Sequence, residues 1–406
     1  MTTSIDLKFF SISYFFIFLL FSIISAFLMI HSGQLGGDFI SFKINISPAI
    51  VVAQSFKLIF FDMFFLVVCY KISSHYSAKP ASITINKLNS DESGIVDYII
   101  LFLQIFSIGV VSLTNTGTVF RGDENHSRLA DLIFAFTQPF YLSILYFYSR
   151  SNSKAKILNI NLLLFMISCY ASGFLGYFFY IIPLIFLKFN VRIKKYLTCS
   201  FVILSILIFP FIRILKYSFI SRQKFNDILF NDPDQGPIFV YLKFARIVID
   251  RFSNVANYIY IEKYASYLQQ LLVHDFYPFF QSYPGSLVHK LWYGYAPKNI
   301  NEFIYHSFSK NYGSNSTFPL FSYFSLSLNL GISILLYSLL ILSITTLILS
   351  KFLGRQELIF LIGFTGYTLL AGGWFWPYMN FLQAGIIYTC MLYLINYKNQ
   401  TVTWSN

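Results

Sequence analysis

Charge is what this chain has least of. Lys, Arg, Asp and Glu make up 11% of its 406 residues, against about a quarter in a soluble domain. With 56% hydrophobic residues and a mean hydropathy of +0.62, that shortage excludes a water-soluble fold and implies an integral membrane protein. Cysteine is also scarce. Cys69, Cys169, Cys199 and Cys390 lie in or beside apolar stretches, without the spacing of a metal site or a disulfide framework, and read as small apolar packers. No nucleotide-binding loop, zinc motif, internal repeat, coiled coil or low-complexity tail is visible. Acids are few outside the apolar runs, and Asp232-Pro233-Asp234 is only a turn-like approximation to Asp-x-Asp. No metal and no cofactor is therefore expected. Despite a net charge of +12, the expected surroundings are membrane lipid and not nucleic acid.

What the chain has is long apolar runs, rich in Phe and Tyr. A run of about 20 residues spans a bilayer core. Ten candidates follow: residues 9–30, 48–70, 96–113, 129–148, 157–170, 174–189, 197–215, 331–350, 358–372 and 381–394. The first is too long for a cleaved signal and is read as a retained helix. The fifth and sixth form a short pair about Ala171-Ser172-Gly173, and the ninth and tenth pivot around residues 374–380. The fold class expected is all-α, a polytopic membrane protein of about ten transmembrane helices forming one domain over residues 1–406. Lys and Arg in the short loops set the orientation. With the N-terminus inside, 14 bases fall on the inner side against three outside, Lys43, Arg121 and Arg128. Both termini are then cytoplasmic.

Between the seventh and eighth spans lies a polar insert, residues 216–318, which this count places outside. It carries many bases and tyrosines, three histidines and several Gly/Pro turns. A scaffold or a simple pore rarely needs such a segment. Residues 239–270 have few breakers and apolar residues at helical spacing (Phe244, Val248, Phe252, Val255, Ile259). Residues 277–297 read as turn-rich, from Pro278, Pro284, Gly285, Gly294 and Pro297. This aromatic-rich segment is suited to lying on the membrane surface.

The candidate chemistry is concentrated there. Arg246 and Asp250 are at i,i+4, which fits a surface ion pair. Arg246 and Arg251 also suit phosphate or pyrophosphate, because the guanidinium fork is planar and always charged. Arg213 and Lys216, at the outer end of the seventh span, are either snorkelling anchors or ligand contacts. The loop Arg121-Gly122-Asp123-Glu124-Asn125-His126-Ser127-Arg128 packs acids, bases and an imidazole together. It reads as a solvated loop or as part of a site, and Asp131, one turn into the next helix, is a candidate general base. Lys57 and Asp62 lie inside the second span, where charges are costly and either paired or functional; their spacing directs each to a different neighbour. His274, His289 and His306 complete the insert's imidazoles. His289-Lys290 beside Trp292 and Tyr293 could hold sugar rings by stacking and hydrogen bonding, or belong to an interfacial aromatic belt.

The layout resembles the O-antigen (oligosaccharide repeat unit) polymerases of the Wzy type. Three features carry the resemblance: the many-span plan with one large late external loop; the small-residue junction Ser172-Gly173-Phe174-Leu175-Gly176, here without the base usual in that family; and Leu287-Val288-His289-Lys290-Leu291-Trp292 through Ala296-Pro297-Lys298, followed by Tyr312-Gly313-Ser314-Asn315-Ser316-Thr317 and Asn329-Leu330-Gly331. The histidine usual beside Asn315 in the related ligases is missing, which favours a polymerase. The resemblance implies a metal-independent glycosyltransferase of the bacterial inner membrane with a large periplasmic loop. It would move a growing glycan from undecaprenyl pyrophosphate to the nonreducing end of a new lipid-linked repeat unit. Both donor and acceptor are then undecaprenyl-pyrophosphate-linked oligosaccharides, and a chain-length regulator protein is a possible partner. Arg213, Arg246, Arg251 and Lys290 would hold the pyrophosphates, with Arg121, Arg128 and Asn315 as further substrate contacts. Asp131 or His289 would deprotonate the acceptor hydroxyl, and Trp292 and tyrosines would position sugars. A ligase-like glycan transferase and a polysaccharide flippase are the alternatives; a flippase usually shows short loops and a repeat.

Overall fold

The computed structural model describes residues 7–37, 43–77, 94–114, 128–151, 153–172, 175–188, 253–271, 283–295 and 318–403, with isolated positions at 39, 279–280, 297 and between 200 and 249. Among the described residues the protein is all helical, with a single isolated bridge between Gln34 and Asn45. In chain order the helices are α1 (Leu7–Ser32), α2 (Pro48–Ser77), α3 (Ile95–Thr114), α4 (Arg128–Thr137), α5 (Pro139–Ser149), α6 (Lys156–Ser172), α7 (Phe178–Lys188), α8 (Val255–Lys263), α9 (Ala265–Leu271), α10 (Tyr283–Tyr293), α11 (Ser322–Leu326), α12 (Leu328–Leu349), α13 (Arg355–Thr365) and α14 (Phe375–Thr403). A π turn, Gly366–Ala371, extends α13.

Among the described residues, six helical segments are long and apolar enough to cross a membrane: residues 10–32, 48–77, 95–113, 132–149 (α4 and α5 across the Gln138 break), 328–349 and 375–395. They correspond to six of the ten expected spans. Of the others, α6, α7 and α13 with its π turn are shorter, at 17, 11 and 17 residues. Most of residues 197–215 lies outside the described residues. One face of each long helix is open and apolar, as on α2, where Phe56, Phe60 and Phe64 are exposed while Leu58, Phe65 and Cys69 are buried. Such a shell is stable only in an apolar solvent, so the protein is membrane-embedded.

Four prolines punctuate the bundle by starting helices, while Pro183 lies inside α7. Pro48 opens α2, Pro139 opens α5, and Pro284 and Pro377 fall in the first turns of α10 and α14. The missing N–H is harmless in a first turn, where it would have no intrahelical partner. For that reason residues 283–293, expected as turns, form a helix, and the expected pivot over residues 374–380 shrinks to Gly372–Trp374. Between α4 and α5, Gln138 turns left-handed (φ 46°) ahead of Pro139. The proline cannot donate to the Ala135 carbonyl. Two side-chain amides do so instead: Gln138 Nε2 lies 2.9 Å from Ala135 O, and Gln383 Nε2 of α14 lies 2.9 Å from Ala135 O and 3.0 Å from Phe136 O.

The centre of the bundle is α13, which packs on α1 and α2 and meets α12; α14 packs on α5 and α12, and α3 on α6. Both described termini lie at one end, here the terminal face. The insert joins the opposite end, the insert face. There the chain returning from the insert lies against the π turn, with Leu320 N–H donating to Ala371 O at 2.9 Å. Gly373 (φ 78°) permits this approach, since a Cβ there would sit 1.9 Å from Phe318 O.

Candidate functional site

The insert enters the bundle. Residues 239–270, expected as one helical stretch, contain α8 and α9, separated by a break at Tyr264. Helix α8 begins at left-handed Asn254 (φ 50°) and packs against α1, α2 and α11. From Val255 to Ile261 it is buried at every position but Asn257, which an all-round apolar run allows and an amphipathic surface helix does not. Ser22, well inside α1, donates to the Ser253 carbonyl at 3.1 Å. Further along, Phe39 stacks on Tyr260 with ring centroids 4.4 Å apart, and Lys263 Nζ donates to Asn45 O at 2.8 Å.

This placement brings Glu262 to α2. Gln54 and Lys57 are one turn apart on α2 and meet the same carboxylate oxygen: Gln54 Nε2 donates to Glu262 Oε1, and Lys57 Nζ lies 3.6 Å from it. Glu262 Oε2 and Gln54 Oε1 make no hydrogen bond among the described residues, and neither does the buried Ser55 hydroxyl. Tyr258, one turn before Glu262, is buried, and its phenol is pushed above its ordinary range first by burial and then by the Glu262 charge. The side chains of Lys57 and Glu262 are 53% and 28% exposed, so the pair stands at an open boundary. A carboxylate held by an amide and an ammonium, with the Tyr258 phenol hydrogen-bonding to it as well, can accept a proton; the ammonium can bind a phosphate oxygen.

Lys57 and Asp62 do face different neighbours, as their spacing implied. Asp62 is buried, about one and a half turns deeper on α2, within electrostatic reach of Tyr367 in the π turn. Glu262 carried no expectation. Its signal was present: a carboxylate ending the apolar run Val255–Ile261, where the pattern is too apolar for a surface helix.

The residues singled out from the sequence are dispersed. His289 is fully buried. Its ring sits between Phe280 (centroids 4.9 Å), Tyr293 (4.6 Å) and Tyr295 (5.0 Å), with Nδ1 3.0 Å from the Tyr295 carbonyl. Lys290 and Trp292 are exposed on other faces of α10, Trp292 to 79%, so His289 and its two neighbours do not share one groove. Arg246 is half-buried. The backbones of Arg128 and Asp131 open α4, but their side chains lie outside the described residues, as do Arg121, Arg213, Arg251 and Asn315 entirely.

A second polar group sits at the terminal face. Asp97, in the first turn of α3, is fully buried and paired with buried Arg150 at the end of α5. Tyr146 donates to Asp97 at 2.5 Å and Gly94 N–H at 2.6 Å, and Arg150 also donates to Ser153 at 3.0 Å. Arg150 is one of the 14 bases counted on the inner side, and it is paired with Asp97 inside the protein. Among the described residues no three His, Cys, Asp or Glu side chains form a group able to hold a metal. Comparison with known protein families, characterised proteins and solved structures finds no match.

Proposed function

We propose that the protein polymerises lipid-linked oligosaccharide repeat units at the periplasmic face of a bacterial inner membrane, with both termini cytoplasmic. The observation that carries this reading is the Glu262–Lys57–Gln54 group, where a carboxylate and an ammonium meet at the boundary between the apolar bundle and the insert. A lipid pyrophosphate presents its charge at that depth, with its tail in hydrocarbon. Glu262 removes the proton of the acceptor hydroxyl as its oxygen attacks the anomeric carbon of the donor. The bond from that carbon to the pyrophosphate oxygen breaks, and undecaprenyl pyrophosphate leaves. Lys57 offsets the charge on the leaving group, with Arg213 at the end of the seventh span and the insert's Arg246 and Arg251 supplying further cationic contacts. Asp131 is the second candidate base, from α4. A chain-length regulator would meet the insert face.

The test is complementation of a strain lacking this gene, read by gel of its surface polysaccharide. Wild type should restore a ladder. Glu262→Gln keeps an acceptor for Gln54 but loses the base, and should cut polymer by about 10²-fold or more, leaving a single repeat on core. A full ladder with Glu262→Gln removes Glu262 from the chemistry. Polymer stranded on the lipid carrier in the deletion strain would mean a ligase, and units trapped on the inner face a flippase.

A further inference from the structure

Helix α10 is amphipathic with its apolar side outward. At about 100° per residue, Leu287, Leu291, Val288 and Trp292 fall within one arc of about 140°. Their exposures are 47%, 87%, 39% and 79%. The opposite side is the packed one, where His289 and Tyr293 close against Phe280 and Tyr295. Lys290 stands exposed at one border of the apolar arc. The helix is closed by Gly294 (φ 80°), whose N–H returns to Lys290 O at 3.0 Å. A helix that buries its histidine and presents two leucines, a valine and a tryptophan is inverted for water. It is suited to a solvent that is apolar on one side and charged at the rim.

We propose that α10 lies in the lipid–water boundary of the bilayer, as an interfacial helix separate from the spans. Leu287, Val288, Leu291 and Trp292 are immersed among the upper acyl carbons, and Lys290 is at the headgroup phosphates. The bilayer is the occupant because this chain already stands in one, its spanning helices exposing the same kind of surface, as at Leu328 (66%) and Phe60 (74%). The residue chemistry also matches the boundary: Trp is apolar with one N–H for the interface, and Lys places an ammonium against phosphate while its stem covers apolar surface. His289, on the inner side, then pins the helix to its loop so that the apolar face stays aligned with the membrane plane. The inference is independent of any glycan chemistry.

The test uses the full chain, one copy per nanodisc of phosphatidylethanolamine and phosphatidylglycerol, with Trp374→Phe, Trp376→Phe and Trp404→Phe leaving Trp292 as the sole indole. Phospholipids brominated at successive acyl carbons should quench Trp292, most strongly from the carbons nearest the headgroup, and aqueous acrylamide should quench it weakly. Strong acrylamide quenching with no bromolipid effect would overturn the proposal. So would protection from acrylamide that appears only with two copies per disc, which would assign the face to a second copy. If the triple variant does not elute as a single species, Leu291→Cys with Cys199→Ser and Cys390→Ser, nitroxide-labelled, gives the same answer. A label relaxed by oxygen more than by a water-soluble nickel chelate supports immersion, and the reverse overturns it.

Discussion

At 3.6 Å from Glu262, Lys57 has exchanged part of its water for a carboxylate on another helix. Because Lys57 remains half exposed, the pair contributes only about 0–1 kcal/mol to stability, so activity lost on changing either partner is separable from folding. Asp97 and Arg150 are the opposite case. Both are buried and share hydrogen bonds with Tyr146, Gly94 and Ser153. Arg150→Ala leaves a carboxylate in the interior and should cost about 3–5 kcal/mol, read as loss of protein from the membrane and a lower melting temperature in detergent. His289 tests the role of a packed imidazole. His289→Phe keeps the ring contacts and gives up one hydrogen bond, worth about 1 kcal/mol, and a retained polysaccharide ladder is expected. Loss of the ladder in a stably inserted His289→Phe protein would return His289 to the role of base. The sequence made Lys57 conspicuous, because a charge in an apolar run has no cheap explanation. It marked Glu262 only as a carboxylate at the end of an apolar run and did not reveal its partner, which lies 205 positions away, a distance that no local pattern records.

At the scale of elements, the long spans are legible because apolar length alone defines them. The ends are less so, since proline is both a breaker and a favoured opener. Pro278 and Pro284 in a Gly-rich stretch read as turns; Pro284 instead sits in the first turn of α10, with Gly294 supplying the left-handed stop. The α4–α5 break is a local rule corrected by a distant residue. Gln383 satisfies the carbonyls of Ala135 and Phe136 exposed by Gln138 and Pro139. Gln383→Leu removes one of the two side-chain donors to the Ala135 carbonyl, Gln138 Nε2 remaining at 2.9 Å, and should cost about 1 kcal/mol. Thermal unfolding in detergent checks this, with an unchanged melting temperature counting against the bridge.

For the molecule as a whole, composition alone announced a helical membrane protein, and the spacing of bases in short loops supplied an orientation. Burial of Arg150 removes one charge from that argument and leaves its sign unchanged, because the short-loop count is still 13 bases on the side of the termini against three on the other. A reporter fused after residue 406 should therefore behave as cytoplasmic: fluorescent protein bright, alkaline phosphatase inactive. The reverse pattern would move the Glu262–Lys57 group to the other side of the membrane and end the polymerase reading. What the sequence could not convey is that its polar insert is partly interior.

Helix α8 touches α1 and α2 from the start of the chain and α11 from its last quarter. The ribosome delivers these partners at widely separated times. When residues 255–263 leave the translocation machinery, one wall of their eventual berth is in place and the other is still unsynthesised. The catalytic group proposed here thus sits in a half-built berth during synthesis, and the helix that carries Glu262 gains its second wall only when α11 has followed it out of the ribosome.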